Sequence, residues 1–256
     1  DVYKRQGVGD ELIIRMRGIR NENVNVTVTN HGTINLPESE PTFVLGRTLN
    51  DVSQEIKELL TEKFKNVNIE VDISKIEKFN VFITGEVSNP GSYLTSGLNT
   101  VLDLLYLCGG PTARGSLRQI QVQHSEMVTN DNGEVEVKSG RSILDLYDIL
   151  IEGNDENDIP LHSGDRIVVP PAGYTVKIAG KVKRPARYEF VSSLTLQQLV
   201  ELSGGFDIGA HVSRIQIQRI EPDGFITTKE VDYNTNDGKS FLLQDGDLVF
   251  VFSGLN

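Results

Sequence analysis

The sequence predicts an α+β fold: a small N-terminal α+β unit over residues 7–77, then two tandem β-grasp domains over residues 78–172 and 173–256. Three observations carry this. One stretch of the chain recurs later without a gap. Strand-like alternation and helix-like periodicity follow one another in the same order in each copy. The apolar residues are mainly Val, Ile and Leu, with aromatics at 7% and no Trp, which favours small β-rich domains over one large helical core. With 256 residues, 38% hydrophobic and 24% charged, the chain is long enough to divide its core among two or three domains.

The repeat is read by subtraction. "VFITGEVSNPGSYLTS" begins at Val81 and "VKIAGKVKRPARYEFV" at Val176, an offset of 95 that also relates Gly85 to Gly180, Pro90 to Pro185, Tyr93 to Tyr188, Thr100 to Thr195, Gly109 to Gly204 and Gln121 to Gln216. The register holds from Val81 to Gln123. Agreement at turn, cap and strand positions together marks a duplicated domain, and two copies are too few for a solenoid.

Within each copy an apolar strand ("FNVFITGEV", "YTVKIAGKV") runs into a Pro-containing turn and a short strand at Tyr93 or Tyr188. Thr100 and Thr195 are expected N-caps of amphipathic helices, whose apolar faces are Val101, Leu104, Leu105 and Cys108, and Leu196, Leu199 and Val200 with Ser203. Gly109-Gly110 and Gly204-Gly205 stop those helices. An alternating strand comes next, "RQIQVQ" or "SRIQIQR", and each copy closes with a Gly-Asp turn and a last strand, "SGDRIVVPP" or "DGDLVFVF". A sheet wrapped around one short helix is a β-grasp. The first copy carries an extra segment, "SILDLYDILIEGNDENDIP", read as a helix from Ser142 to about Ile151 and then an acidic loop. "VPPAGY", residues 169–174, is the expected joint, stiffened by its prolines; it and the acidic loop at Asp155 are expected to be little tied into sheets, so one or the other is the first site of proteolysis.

Before Ile76 the plan differs. "GDELIIRMRG" is a strand after another Gly-Asp turn, "VNVTVT" alternates, and Thr48 caps a helix with Leu49, Val52, Ile56, Leu59, Leu60 and Phe64 in one stripe; "NVNIEVDIS" supplies a further strand. The first six residues, "DVYKRQ", fit poorly with the strand pattern that begins at Gly9 and are set apart from the fold.

A net charge of −11 makes nucleic acid and anionic lipid poor partners. No apolar run approaches the roughly 20 residues a membrane-crossing helix needs. One cysteine, Cys108, cannot form an internal disulfide, and it stands where the other copy has Ser203, so it reads as a buried structural thiol. "GVGD" at Gly7 is a turn, not a phosphate cradle. His31, His124, His162 and His211 are widely separated along the chain and none has metal-ligand spacing, so they read as solvated or turn residues and no metal or cofactor is expected. The loop with Glu152, Asp155, Glu156 and Asp158 lacks EF-hand spacing and reads as solvated.

One difference between the copies concerns charge. The second carries Lys181, Lys183, Arg184 and Arg187 at the repeated turn, where the first has Glu86, Ser88, Asn89 and Ser92. Residues 78–172 hold 6 basic and 13 acidic side chains, net −7; residues 173–256 hold 9 and 10, net −1. Two surfaces that meet each other would differ in this way, and so would a drifting solvated loop. Lys181, Lys183, Arg184, Arg187 and Glu86 are the candidate contact or lumen-facing residues; no catalytic residue stands out and no ligand-binding residue is identified.

The order of these motifs resembles the polysaccharide biosynthesis and export proteins of bacterial outer membranes. "GVGDELIIRMRG", "HGTINLPESEP" and "GRTLNDVSQEIKELLTEKFKNVNIEVDIS" are similar to their export domain; the two repeats are similar to the SLBB domains, a β-grasp class, that come after it. The resemblance implies the periplasmic portion of a ring-forming exporter in a Gram-negative bacterium, conducting capsule or exopolysaccharide outward and paired with an inner-membrane polysaccharide co-polymerase. It also implies attachment to the outer membrane through segments absent from this chain, since the family's usual lipoprotein signal and C-terminal amphipathic helix have no counterpart here. Physics adds one point: a hydrophilic polymer cannot thread a domain packed at crystal-like density, so conduction needs a lumen between subunits, a homo-oligomeric ring. The alternative is a non-conducting β-grasp module that binds a glycan or a partner protein. A glycan-cleaving enzyme would need paired carboxylates in an aromatic groove, and the repeat singles out no such pair.

Overall fold

The computed structural model describes residues 5–18, 21–129 and 135–254. In the N-terminal unit β1 (Glu11–Gly18) lies between β2 (Glu22–Thr27) and, after β3 (Thr33–Ile34), β4 (Thr42–Phe43) and α1 (Leu49–Lys63), the long strand β5 (Val67–Lys75); both pairings of β1 are antiparallel. Period-two alternation turns Leu12, Ile14 and Met16 inward, where Val52, Ile56 and Leu60 of α1 meet them in a single core. Thr48 caps α1 by accepting the Asp51 N–H. The reading that set the first six residues apart is corrected for Arg5 and Gln6. Arg5 bridges Thr48 and Gln6 bridges Leu45, with Gln6 buried, because the backbone leading into α1 offers an unpaired edge there; residues 1–4 lie outside the described residues.

The first copy contains β6 (Lys78–Gly85), β7 (Gly91–Ser96), α2 (Val101–Leu107), β8 (Ile120–Thr129), β9 (Val135–Leu144), α3 (Leu146–Leu150) and β10 (Arg166–Val169). The second contains β11 (Tyr174–Gly180), β12 (Ala186–Phe190), β13 (Leu194–Thr195), α4 (Leu196–Leu202), β14 (Ala210–Ile220), β15 (Ile226–Val231), α5 (Asn236–Lys239), β16 (Leu242–Leu243) and β17 (Leu248–Ser253). Their sheets have the same five-stranded order, β7-β6-β10-β8-β9 and β12-β11-β17-β14-β15, with one parallel pair in each (β6 with β10, β11 with β17). Both crossing helices start with a capping box, Thr100 with Asp103 and Thr195 with Gln198, and bury Val101, Leu104 and Leu105 or Leu196, Leu199 and Val200 against the sheet. The fold is thus α+β with a β-grasp in each copy.

The segment after Ser142 departs from the sequence reading. Ser142–Leu144 ends β9, in antiparallel register with Ile120–Val122, and the helix is shorter, capped by Asp145 accepting the Tyr147 N–H. An exposed amphipathic pattern cannot distinguish a last strand residue from a first helical one when the pairing partner is distant in sequence. The second copy has its own one-turn helix, α5, at the matching place, so what the first copy adds is chiefly loop.

Candidate functional site

The repeated turn is the first candidate, and it is bonded alike in both copies. Gly85 and Gly180 have φ of +90° and +88°, and a Cβ on either would lie 2.1 Å from the carbonyl oxygen of Val169 or Val251. Only glycine lets the next residue donate its N–H to that carbonyl, Glu86 to Val169 at 2.8 Å and Lys181 to Val251 at 2.9 Å. Ser88 and Lys183 donate to Gly110 and Gly205, and Asn89 and Arg184 to Cys108 and Ser203. These bonds satisfy carbonyls that the ends of α2 and α4 leave open. Tyr93 and Tyr188 then donate their hydroxyls to Asn89 and Arg184 at 2.7 and 2.8 Å. The turn therefore locks the helix end to the sheet within each copy.

Its charged side chains fare differently. Lys181 is half-buried and pairs with Asp207 at 3.6 Å, and Arg184 donates to the Leu202 carbonyl at 3.1 Å. Glu86, at the place of Lys181, accepts from the Thr112 hydroxyl at 2.7 Å. Lys183, Arg184 and Arg187 are all exposed. Cys108 is wholly buried with its thiol 3.3 Å from the Leu105 carbonyl, and burial pushes its pKa up, the opposite of an activated nucleophile. Ser203 makes the same contact, Oγ to the Val200 carbonyl at 2.7 Å.

The joint is the second candidate, and here the expectation of a loosely tied linker is corrected. Ser116 donates its N–H to Pro170 O and Ala172 to Arg114 O, across a bridge between Gly115 and Pro171. Glu189 of β12, only 4% exposed, then reaches into the first copy. One of its oxygens accepts from Ser116 Oγ at 2.7 Å and Gly173 N at 3.0 Å, the other from Leu117 N at 2.8 Å and Arg118 N at 3.2 Å. A buried carboxylate is tolerable because four donors surround it. Tyr147 of α3 packs edge-on against Tyr188 and accepts the Glu189 N–H at 2.8 Å; burial holds its phenol above the usual pKa. Tyr147 belongs to the second copy's core, with Leu117 and Ile151 against it. The backbone of Pro170, Ala172 and Gly173 is thus tied to both copies.

Histidines far apart in sequence also converge. His124 on β8 and His162 in the loop before β10 lie beside Asp165, and these form the one three-ligand group among the described residues. No sequence spacing announced it, because the three residues come from a strand and a loop that meet only when β8 pairs with β10. In the acidic loop, Asp158 accepts the Leu102 N–H at 3.3 Å and so tethers the loop to α2. No described helix is long and apolar enough to cross a membrane.

Family models and known proteins match this chain in sequence. The family described as polysaccharide biosynthesis/export protein matches residues 4–74, and the SLBB domain matches residues 80–137 and 175–228. The polysialic acid transport protein KpsD of Escherichia coli is 26% identical over 250 residues, which are 95% of this chain and 41% of that protein. The EPS I polysaccharide export outer membrane protein EpsA of Ralstonia solanacearum is 25% identical over 183 residues, 70% of this chain and 45% of that protein. The chain thus spans less than half the length of these curated relatives.

Proposed function

The chain belongs to the polysaccharide biosynthesis/export protein family, a family of transporters and not of enzymes, and on that premise we propose that it is the periplasmic part of an exporter carrying capsule or exopolysaccharide across the outer membrane of a Gram-negative bacterium. The observation that carries the reading is domain order: an export unit and then two SLBB domains, aligned with a polysialic acid transporter over 95% of the chain. The working form is a homo-oligomeric ring with the polymer in a central lumen: among the described residues each domain closes on a core of packed side chains, and a hydrophilic polymer would pass between subunits instead of through one. An inner-membrane polysaccharide co-polymerase delivers the polymer to the ring.

Lys183, Arg184 and Arg187, together with Lys181, are the proposed contact or lumen-facing residues, and the acidic first copy with Glu86 is the complementary face. Such contacts are screened over about 8 Å at physiological salt and contribute roughly 0–1 kcal/mol each, so only their repetition around a ring gives them weight. The test is sedimentation of the full-length protein carrying Lys183→Glu and Arg187→Glu across a salt series. Arg184 is spared because it also holds the end of α4. We expect the double variant to disperse while each subunit stays folded, and the parent to weaken as salt rises. Unchanged assembly at every salt concentration removes these residues from the contact, and a parent that stays monomeric favours a binding module over a conduit.

A further inference from the structure

We propose that His124, His162 and Asp165 bind a divalent first-row transition ion of the zinc class. The three offer ligand atoms that all lie within 4.8 Å of one another. His124 Nδ1 stands 2.9 Å from Asp165 Oδ1, and His162 Nδ1 stands 3.7 Å from Asp165 Oδ2. Ligands around tetrahedral zinc, at about 2.0–2.2 Å from the metal, sit roughly 3.3–3.6 Å apart, so small side-chain rotations suffice. Two imidazoles with one carboxylate select a zinc-like ion over calcium or magnesium, which prefer all-oxygen shells.

The site is built on fixed backbone. Asp165 is fully buried, and its Oδ2 accepts the His162 N–H at 2.7 Å while its own N–H donates to His162 O, which closes the Gly-Asp turn. His124 stands opposite Gly140 in the sheet, a partner with no side chain to set beside the imidazole. His162 is 45% exposed and leaves the site open to solvent, so an ion can enter and a fourth position remains for water.

The second copy shows what this position requires. There the turn repeats bond for bond: Gln244 N–H donates to Asp247 Oδ2 at 2.8 Å, and the Asp247 carbonyl accepts from Lys177 as that of Asp165 does from Phe82. The place of His124 is taken by Arg219, offset by the same 95 residues, which clasps Asp247 with two bonds of 2.8 and 2.7 Å. One copy thus neutralises its buried carboxylate with a permanent cation. The other surrounds it with two imidazoles, and a divalent ion held between them supplies the charge that the guanidinium supplies next door. On binding, His124 turns the Nδ1 lone pair to the metal and carries its proton on Nε2.

The test uses the full-length protein without a polyhistidine tag, stripped by chelator and titrated with ZnCl2 by calorimetry, with CoCl2 as a spectroscopic probe and CaCl2 as a control. We expect one Zn2+ per chain, visible d–d bands of tetrahedral Co2+, and no response to Ca2+. His162→Ala, on the exposed side, should weaken Zn2+ by more than the 10–100-fold that loss of an outer-shell partner causes. His124→Arg, which installs the second copy's own solution, should fold normally and abolish binding. Absence of Zn2+ heat and Co2+ bands in the parent, or an affinity unchanged in both folded variants, overturns the proposal.

Discussion

At the turn before its last strand, the second copy holds Asp247 by the bidentate guanidinium of Arg219, whereas the first copy sets the imidazole of His124 at 2.9 Å from Asp165 and that of His162 at 3.7 Å. At the Gly85 and Gly180 turns the two copies make the same backbone bonds to within about a tenth of an ångström. Bonds that end on backbone persist because a carbonyl or amide offers the same partner whatever the side chain. Bonds between side chains diverge, since a carboxylate can be satisfied by several cations and donors. The duplicated domain therefore keeps its shape through glycines, caps and turns, and varies its charge.

The sharpest way to break this contrast is at the two aspartates. Arg219→Ala leaves Asp247, 1% exposed, without its cation and should destabilise the protein by about 3–5 kcal/mol. His124→Ala in metal-free protein should lose only about 1–2 kcal/mol, because Asp165 keeps the His162 N–H. Urea midpoints of the two variants measure the difference; equal losses would erase the distinction. An effect between these two belongs to the joint. Glu189→Gln replaces a charged acceptor of four bonds with an amide that turns its own N–H groups towards donors, which should cost about 2–3 kcal/mol. Hydrogen exchange at Leu117, Arg118 and Gly173 should accelerate in that variant, and persistent protection would mean that other contacts hold the copies together. The smallest belongs to Cys108→Ser, expected within about 1 kcal/mol of the parent because its hydroxyl can bond Leu105 O as that of Ser203 bonds Val200 O. A much larger loss would show that the two helix ends are not equivalent.

The repeat, the capped helices and the β-grasp plan were legible because each rests on local chemistry: Thr100 and Thr195 at caps, alternation in "RQIQVQ", and glycines where the turn admits no Cβ. The joint was not. Its prolines suggested a stiff spacer, but the residue that closes it, Glu189, lies 73 positions from Ser116, and nothing around "RYEF" marks that glutamate as buried. The convergence of His124 with His162 and Asp165 was hidden for the same reason, being a product of β8 pairing with β10. The helix read as beginning at Ser142 failed at its boundary, where pairing with Ile120–Val122 overrode the helical pattern. Of the basic turn, composition revealed the charge and not that Lys181 is already engaged by Asp207.

The Glu189 clasp has a mechanical consequence. A linker of free residues absorbs a push as bending, but four donors converging on two oxygens, backed by the Tyr147–Tyr188 contact, resist both twist and separation. A twist applied to one copy is therefore expected to reach the other through these bonds instead of being lost as bending at the joint.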